Sequence, residues 1–306
     1  MPFIAHNGHR TFYRTVGSGP LVVLLHGHLL GSQCWLDGGF AEVFTRDHTV
    51  ALIDALGHGQ SDKPADPAAY RLKEQAGRVV AVMDALGFET ADVIGHSMGA
   101  WTGAGIARQC PHRLRSLTLG GWDPVKGVAA AFPPGFEGPL HFDQVLELAQ
   151  AMVPDLVSWV RPEDEPGLRA SWDALAELDG LAQTLASIRI PLLLWCGRGD
   201  IRGSHMQAFA DRQGLEMIWT AGNHNSVVYE HAPEGARAIR ARLDIGVRGE
   251  GGSEPTPGGL QARYAPEGNS PALSGLILML SKTCHCAGGI AQSSESCSPD
   301  CLPQFR

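Results

Sequence analysis

One pentapeptide constrains this chain more than any other segment: Gly95-His96-Ser97-Met98-Gly99. It directly follows the apolar run Ala91 to Ile94 and directly precedes a small-residue stretch, Ala100 to Ala107, with helical patterning. A serine on so sharp a strand-to-helix turn is held in strained backbone geometry, with its hydroxyl clear of the sheet edge. Glycines two residues to either side are needed because a larger side chain there would collide across the turn. A helix beginning beneath the serine turns unpaired N–H groups and its positive dipole end toward the space above the hydroxyl. The segment therefore predicts a nucleophile at Ser97 with backbone donors beside it.

The rest of the chain supplies a setting for such an elbow. Phe3 to Ala5 and Thr11 to Val16 flank an Asn7-Gly8 turn signal, which predicts a hairpin. Gly17-Ser18-Gly19-Pro20 breaks the chain before Leu21 to Leu25, a continuous apolar run of the kind buried on both faces of a sheet. Similar runs recur at Thr49 to Ile53, Ala91 to Ile94, Leu114 to Leu119, Ile190 to Cys196 and Glu216 to Thr220. Helical patterns lie between most of them, including Leu72 to Leu86. This alternation predicts an α/β fold with a mostly parallel sheet covered on both sides.

The alternation stops between about Trp122 and Ala186. That stretch holds Phe132-Pro133-Pro134-Gly135, two or three helical patterns, and Met152, Trp159 and Trp172. It reads as a helical lid inserted over the carboxyl edge of the sheet, with boundaries at 123–186. Its tryptophans are expected to pack lid against core or to line an acyl pocket. Residues 1–122 and 187–245 then form the core. From 246 to 306 the chain is rich in Gly, Ser, Pro and Cys and is expected to be a disordered tail or a non-native extension. Cys284, Cys286, Cys297 and Cys301 crowd into it beside His285, but their spacings are not those of a zinc ribbon, so no metal is expected. Cys34, Cys110 and Cys196 are expected as reduced thiols.

Composition excludes other classes. A formal net charge of -8 over 306 residues, with no basic stripe, argues against nucleic acid as a partner. The longest apolar runs have strand length and fall short of a membrane span. The N-terminus lacks the charged-then-apolar pattern of a signal peptide, so a cytoplasmic location is expected.

A serine hydroxyl needs a base within hydrogen-bond reach. Of the 13 histidines, His224 stands in Ala221-Gly222-Asn223-His224-Asn225-Ser226, a loop after the last predicted strand that returns to the carboxyl edge where Ser97 stands. His96 is expected to be structural, and His26 and His58 to serve turns. The base needs a carboxylate to fix its tautomer. Asp200, after Gly197-Arg198-Gly199 at a strand end, fits the chain order Ser, Asp, His. Asp123 is the alternative acid; otherwise it caps a turn at the start of the insertion. The oxyanion donors are expected to be the backbone N–H groups of Met98 and of His28, in His26-Gly27-His28-Leu29. The His28 imidazole itself is expected at the pocket mouth or in solvent.

These pieces resemble the α/β-hydrolase superfamily, in its lidded branch of esterases, C–C hydrolases and relatives. The resemblance covers about residues 3–243. It rests on His26-Gly27-His28, on Gly95 to Gly99, on Gly197-x-x-Asp200, on Asn223-His224, and on Asp54-Ala55-Leu56-Gly57-His58-Gly59-Gln60-Ser61, which matches the D-x-x-G-x-G-x-S loop. It implies a mostly parallel eight-stranded sheet with helices on both faces, a small helical lid, and no cofactor. Ser97 argues against the dehalogenases and epoxide hydrolases of the superfamily, which use an aspartate nucleophile. Leu29-Leu30-Gly31 departs from the Gly-Pro-Gly of the ring-cleavage C–C hydrolases. The expected function is serine-dependent cleavage of a small carboxylic ester. The alternatives are C–C, thioester or lactone cleavage by the same residues, or a ligand receptor that has kept them.

Overall fold

Runs such as Leu21–Leu25 are apolar at every position, so each must be covered on both faces, and the chain builds its sheet around them. The computed structural model describes residues 3–131 and 140–249. The strands are β1 (Phe3–His6), β2 (His9–Gly17), β3 (Leu21–Leu25), β4 (Thr49–Ile53), β5 (Ala91–His96), β6 (Leu114–Gly120), β7 (Leu192–Gly197) and β8 (Met217–Thr220). They form one eight-stranded sheet in the order β1-β2-β4-β3-β5-β6-β7-β8. β2 runs antiparallel to both β1 and β4, and every other pairing is parallel. The opening hairpin turns on Asn7 and Gly8, both at positive φ, as a two-residue hairpin loop requires.

The helices are α1 (Cys34–Asp37), α2 (Leu72–Ala85), α3 (Met98–Gln109), α4 (Phe142–Met152), α5 (Pro154–Val157), α6 (Glu165–Ala174), α7 (Leu181–Ser187), α8 (Gly203–Gln213) and α9 (Ala232–Gly249). Strand alternation splits the core into two faces. Leu21, Val23 and Leu25 pack with Leu72, Val79 and Met83 of α2 and with Trp101 and Ala104 of α3. Val22 and Leu24 pack on the other side with Trp35, Phe40, Phe44 and, from α9, Ala232, Ala236 and Ile239. Each such aliphatic side chain, taken fully out of water, contributes about 1.5–3 kcal/mol.

Two departures from the sequence expectations concern lengths. Among the described residues, the segment between β6 and β7 holds four α-helices, α4 to α7, where two or three were expected. One of them, α5, is a four-residue turn opened by Pro154, too short to show a hydrophobic period. α9 continues to Gly249, past the expected end of the core at 245. The expected tail lies, from residue 250 onward, outside the described residues, as do its cysteines and residues 132–139 of the insertion.

The topology fixes where a site can form. β3 lies between β4 and β5, so the chain order reverses there, and loops leaving β3 and β5 diverge at the carboxyl edge. Crevices in open α/β sheets lie at such switch points. The His26–Leu29 loop leaves β3, and Ser97 follows β5.

Candidate active site

Ser97 is the first residue after β5 and the N-cap of α3, with φ +54° and ψ −114°. A non-glycine residue there is strained by about 1–3 kcal/mol, held by what surrounds it. The surroundings are tight. A Cβ on Gly95 would lie 2.2 Å from Gly99 O, and one on Gly99 would lie 2.1 Å from Leu25 O. Helix α3 thus sits against β3 and β5 with no room for a side chain at either glycine. The Ser97 N–H donates to Gly120 O at 2.7 Å, which ties the elbow to the end of β6.

His224 and Asp200 meet from the loops that follow β8 and β7. The His224 Nδ1–H donates to Asp200 Oδ2 at 2.7 Å. Because the carboxylate accepts there, the neutral ring carries its proton on Nδ1 and leaves Nε2 as a lone-pair acceptor. The Asp200 side chain is 1% exposed, and its other oxygen accepts from the Arg202 backbone N–H at 3.0 Å and from Arg202 Nη1 at 3.1 Å. Burial alone would raise the Asp200 carboxyl; His224 and Arg202 outweigh it and hold the group well below the usual carboxylate range. Burial, reinforced by the Arg202 charge, lowers His224 from its ordinary value, against the pull of Asp200. The ring is therefore neutral near pH 7.

His96, the residue before Ser97, lies beside His224. A Cβ on Gly121 would lie 2.9 Å from His96 Nε2 and 3.0 Å from His224 Nδ1, so the turn after β6 passes close against both rings. The His96 and His224 ring centroids are 4.6 Å apart. A Cβ on Gly27 would lie 3.2 Å from His96 Nδ1 and 3.3 Å from the Ser97 Cβ. Among the described residues, Ser97 Oγ makes no hydrogen bond, to His224 or to any other group. In unliganded enzymes that bond is often long and tightens with substrate.

The remaining predicted residues fall as follows. Among the described residues, the backbone N–H groups of Met98 and His28 have no acceptor within the protein, while the next N–H of the β3 loop, that of Leu29, donates to His58 Nε2 at 3.2 Å. Asp123 is buried, and its Oδ1 accepts from the N–H groups of Val125 and Lys126; it closes a turn. His26 donates from Nδ1 to Gly27 O and accepts at Nε2 from the Ala55 N–H, which locks the β3 loop to the loop after β4.

The His28 imidazole departs from expectation. It is only half-buried, yet it lies within an aromatic cluster of His58, Phe142 and Trp172, with centroids 5.0, 5.9 and 5.5 Å away, where an open mouth or free solvent was expected. Its Nε2–H donates to Leu168 O of α6 at 3.0 Å. The cause is the insertion, whose apolar residues Phe142, Leu146, Val157 and Leu168 pack on Leu29 and enclose the ring. Trp159 Nε1 donates to Leu29 O, a second bond between insertion and loop. Met152, by contrast, is exposed.

The residue that sequence reading missed is Arg202. Its signal was slight: an aspartate in a turn commonly accepts from the N–H two residues on, which puts the i+2 side chain near the carboxylate.

This concentration of neutral histidines has a consequence for stability. Burial lowers His26, His58 and His96 from their ordinary value and takes His28 to about 4. The unfolded chain therefore binds more protons below pH 6.5. Stability contributed by these rings is fully present above that pH and is lost as pH falls from 6.5 through the folded values. His28 alone accounts for up to about 3 kcal/mol on this basis. Urea midpoints at pH 7 and pH 5 are expected to differ clearly, the lower pH being less stable. Equal midpoints would show that these rings are not buried neutral.

The comparisons with known proteins bear on the frame. The model of the α/β-hydrolase fold family matches residues 20–153, the stretch that contains β3, the elbow and α3. This chain has the α/β-hydrolase fold. An enol-lactonase from Burkholderia xenovorans superposes with a TM-score of 0.63, at 21% identity, over 79% of this chain and all of that one, a likeness of fold. Among curated proteins, an uncharacterized protein of Mycobacterium tuberculosis is 35% identical over 39% of this hydrolase-fold chain and 34% of its own length. The 2-hydroxymuconate semialdehyde hydrolase of a Pseudomonas species is 29% identical over 60% of this chain and 70% of its own. The chain thus spans about a third of the length of the first of these relatives and over two thirds of the second. Among the described residues, no helix is long and apolar enough to cross a membrane, and no group of three His, Cys, Asp or Glu is placed to hold a metal.

Proposed function

We propose that this chain is a serine hydrolase that cleaves a small carboxylic ester through an acyl-enzyme. Ser97 Oγ attacks the carbonyl while His224 Nε2 takes its proton, and Asp200 holds the ring and stabilises the imidazolium. The oxyanion is met by the N–H groups of Met98 and His28. His224 returns the proton to the departing alcohol, then draws one from the attacking water and passes it to Ser97 Oγ as the acid is released. No step in this sequence uses a metal or an organic cofactor. The helices between β6 and β7 act as a lid, and its inner apolar residues shape the acyl pocket. One observation supports this reading above the rest: a 2.7 Å bond between His224 and the buried Asp200, beside a serine at φ +54°.

A fluorophosphonate probe tests it. Labelling is expected at one equivalent per chain, on the peptide that carries Ser97, with rapid turnover of a p-nitrophenyl ester by the unlabelled protein. Labelling elsewhere would reject the nucleophile. Slow single-turnover labelling with no ester turnover would favour a receptor.

A second reading keeps the residues and changes the bond, to C–C or lactone cleavage beside an enol or keto group. It is favoured by the relative named for 2-hydroxymuconate semialdehyde and by the structural neighbour named as an enol-lactonase. Rates on an ester, a thioester, an enol-lactone and a vinylogous diketone separate these readings.

A further inference from the structure

We propose that Arg202 is a positioning residue of this site, which clamps one oxygen of Asp200 so that only the other faces His224 and which keeps a fixed positive charge close to the imidazole. The inference rests on the Ser97–His224–Asp200 reading above. Asp200 sits in the turn between β7 and α8, where a buried carboxylate could rotate and offer either oxygen to the ring. Two donors from one residue prevent this. The Arg202 backbone N–H and its Nη1 both reach Oδ1, at 3.0 and 3.1 Å, while His224 Nδ1 reaches Oδ2, at 2.7 Å. The Arg202 side chain is 17% exposed against 1% for Asp200, so the pair is only weakly screened by solvent.

The charge has a second effect. An aspartate alone would make the imidazole a stronger base and leave more of it protonated, hence inactive, in mildly acidic solution. Arg202 partly cancels that pull. The groups that bear on the ring are few. Asp200 and Arg202 reach it from the β7 turn, and His96, itself held neutral by burial, lies against it from β5. At the start of α9, His231 packs on Gly222 and Glu234 accepts from the Ala221 N–H, both at the base of the His224 loop. Arg202 is the cation that acts on the ring beside its own carboxylate.

Two variants of the full chain separate the clamp from the charge. In Arg202→Gln the cation is lost, and the His224 ring is expected to titrate about one pH unit higher. The acid limb of kcat/KM should move with it. In Arg202→Lys the charge and the backbone N–H bond stay, and the Nη1 bond to Oδ1 is lost. The ring titration should then stay within about 0.3 units, while kcat falls about tenfold at nearly constant KM, the mark of misorientation. The ring is followed by NMR without substrate, its signal assigned by its absence in His224→Gln. A folded Gln variant whose ring titrates as in the wild type would overturn the charge role. A Lys variant with wild-type kcat would overturn the clamp, and it decides the matter should the Gln variant not fold. Failure of the serine reading would show separately, as ester turnover that survives Ser97→Ala, and would leave the ring titration to judge Arg202.

Discussion

Ser97→Ala is expected to lower turnover of a p-nitrophenyl ester by about 10^4-fold or more, with the thermal midpoint little changed. The loss is large because the proposed residues act as a unit: without the hydroxyl, neither the base nor its carboxylate has a proton to move. The fold is spared for a different reason. The Ser97 hydroxyl makes no hydrogen bond among the described residues, so its removal orphans no partner. The backbone strain at φ +54° is the same for alanine as for serine, because both carry a Cβ. Steady-state kinetics and a melting curve check the two halves together. A variant that kept most of its activity would remove Ser97 from the chemistry, whatever the fold.

Asp200→Asn is expected to cost about 10^3- to 10^4-fold in kcat near neutral pH, again with a folded protein. The direction follows from which donors surround the carboxylate. One oxygen faces two N–H donors of Arg202, and the other faces one of His224. An amide placed there satisfies the larger number by turning its carbonyl to Arg202, which points its NH2 at His224. The ring must then accept at Nδ1 and carry its proton on Nε2, the wrong form to take one from Ser97. Activity above a tenth of wild type would mean that the ring keeps its tautomer without the charge, or that another acid serves it. Asp123 is poorly placed for that, since its carboxylate is occupied by Val125 and Lys126.

The elbow was legible in the sequence because its constraint is local and steric. Gly95 and Gly99 are bare since carbonyls of Gly99 and Leu25 stand about where their side chains would be, and that signature survives in five letters. The central strands were legible because burial on both faces leaves a continuous apolar run, as in Leu21–Leu25. Asp200 and His224 could be nominated from loop positions, since parallel topology returns every such loop to one edge. What stayed hidden depended on neighbours remote in sequence. Whether the His28 ring meets water is decided by Phe142, Leu168 and Trp172, more than 110 positions away. The count of insertion helices was missed because a single turn such as α5 has no period to detect. Arg202 escaped notice because an arginine near an aspartate in a surface-like turn reads as ordinary until the aspartate is seen to be buried.

The loop after β3 faces two ways at once. Its Gly27 lies against Ser97, and the next two residues, His28 and Leu29, are fastened to the insertion through Leu168 O and Trp159 Nε1. If Ser97 is the nucleophile proposed above, selectivity and speed are therefore not separate modules in this molecule. On the proposed reading, any remodelling of the insertion to admit a bulkier acyl chain also tugs on the loop that carries the His28 amide, so a broader diet would come with a retuned catalyst.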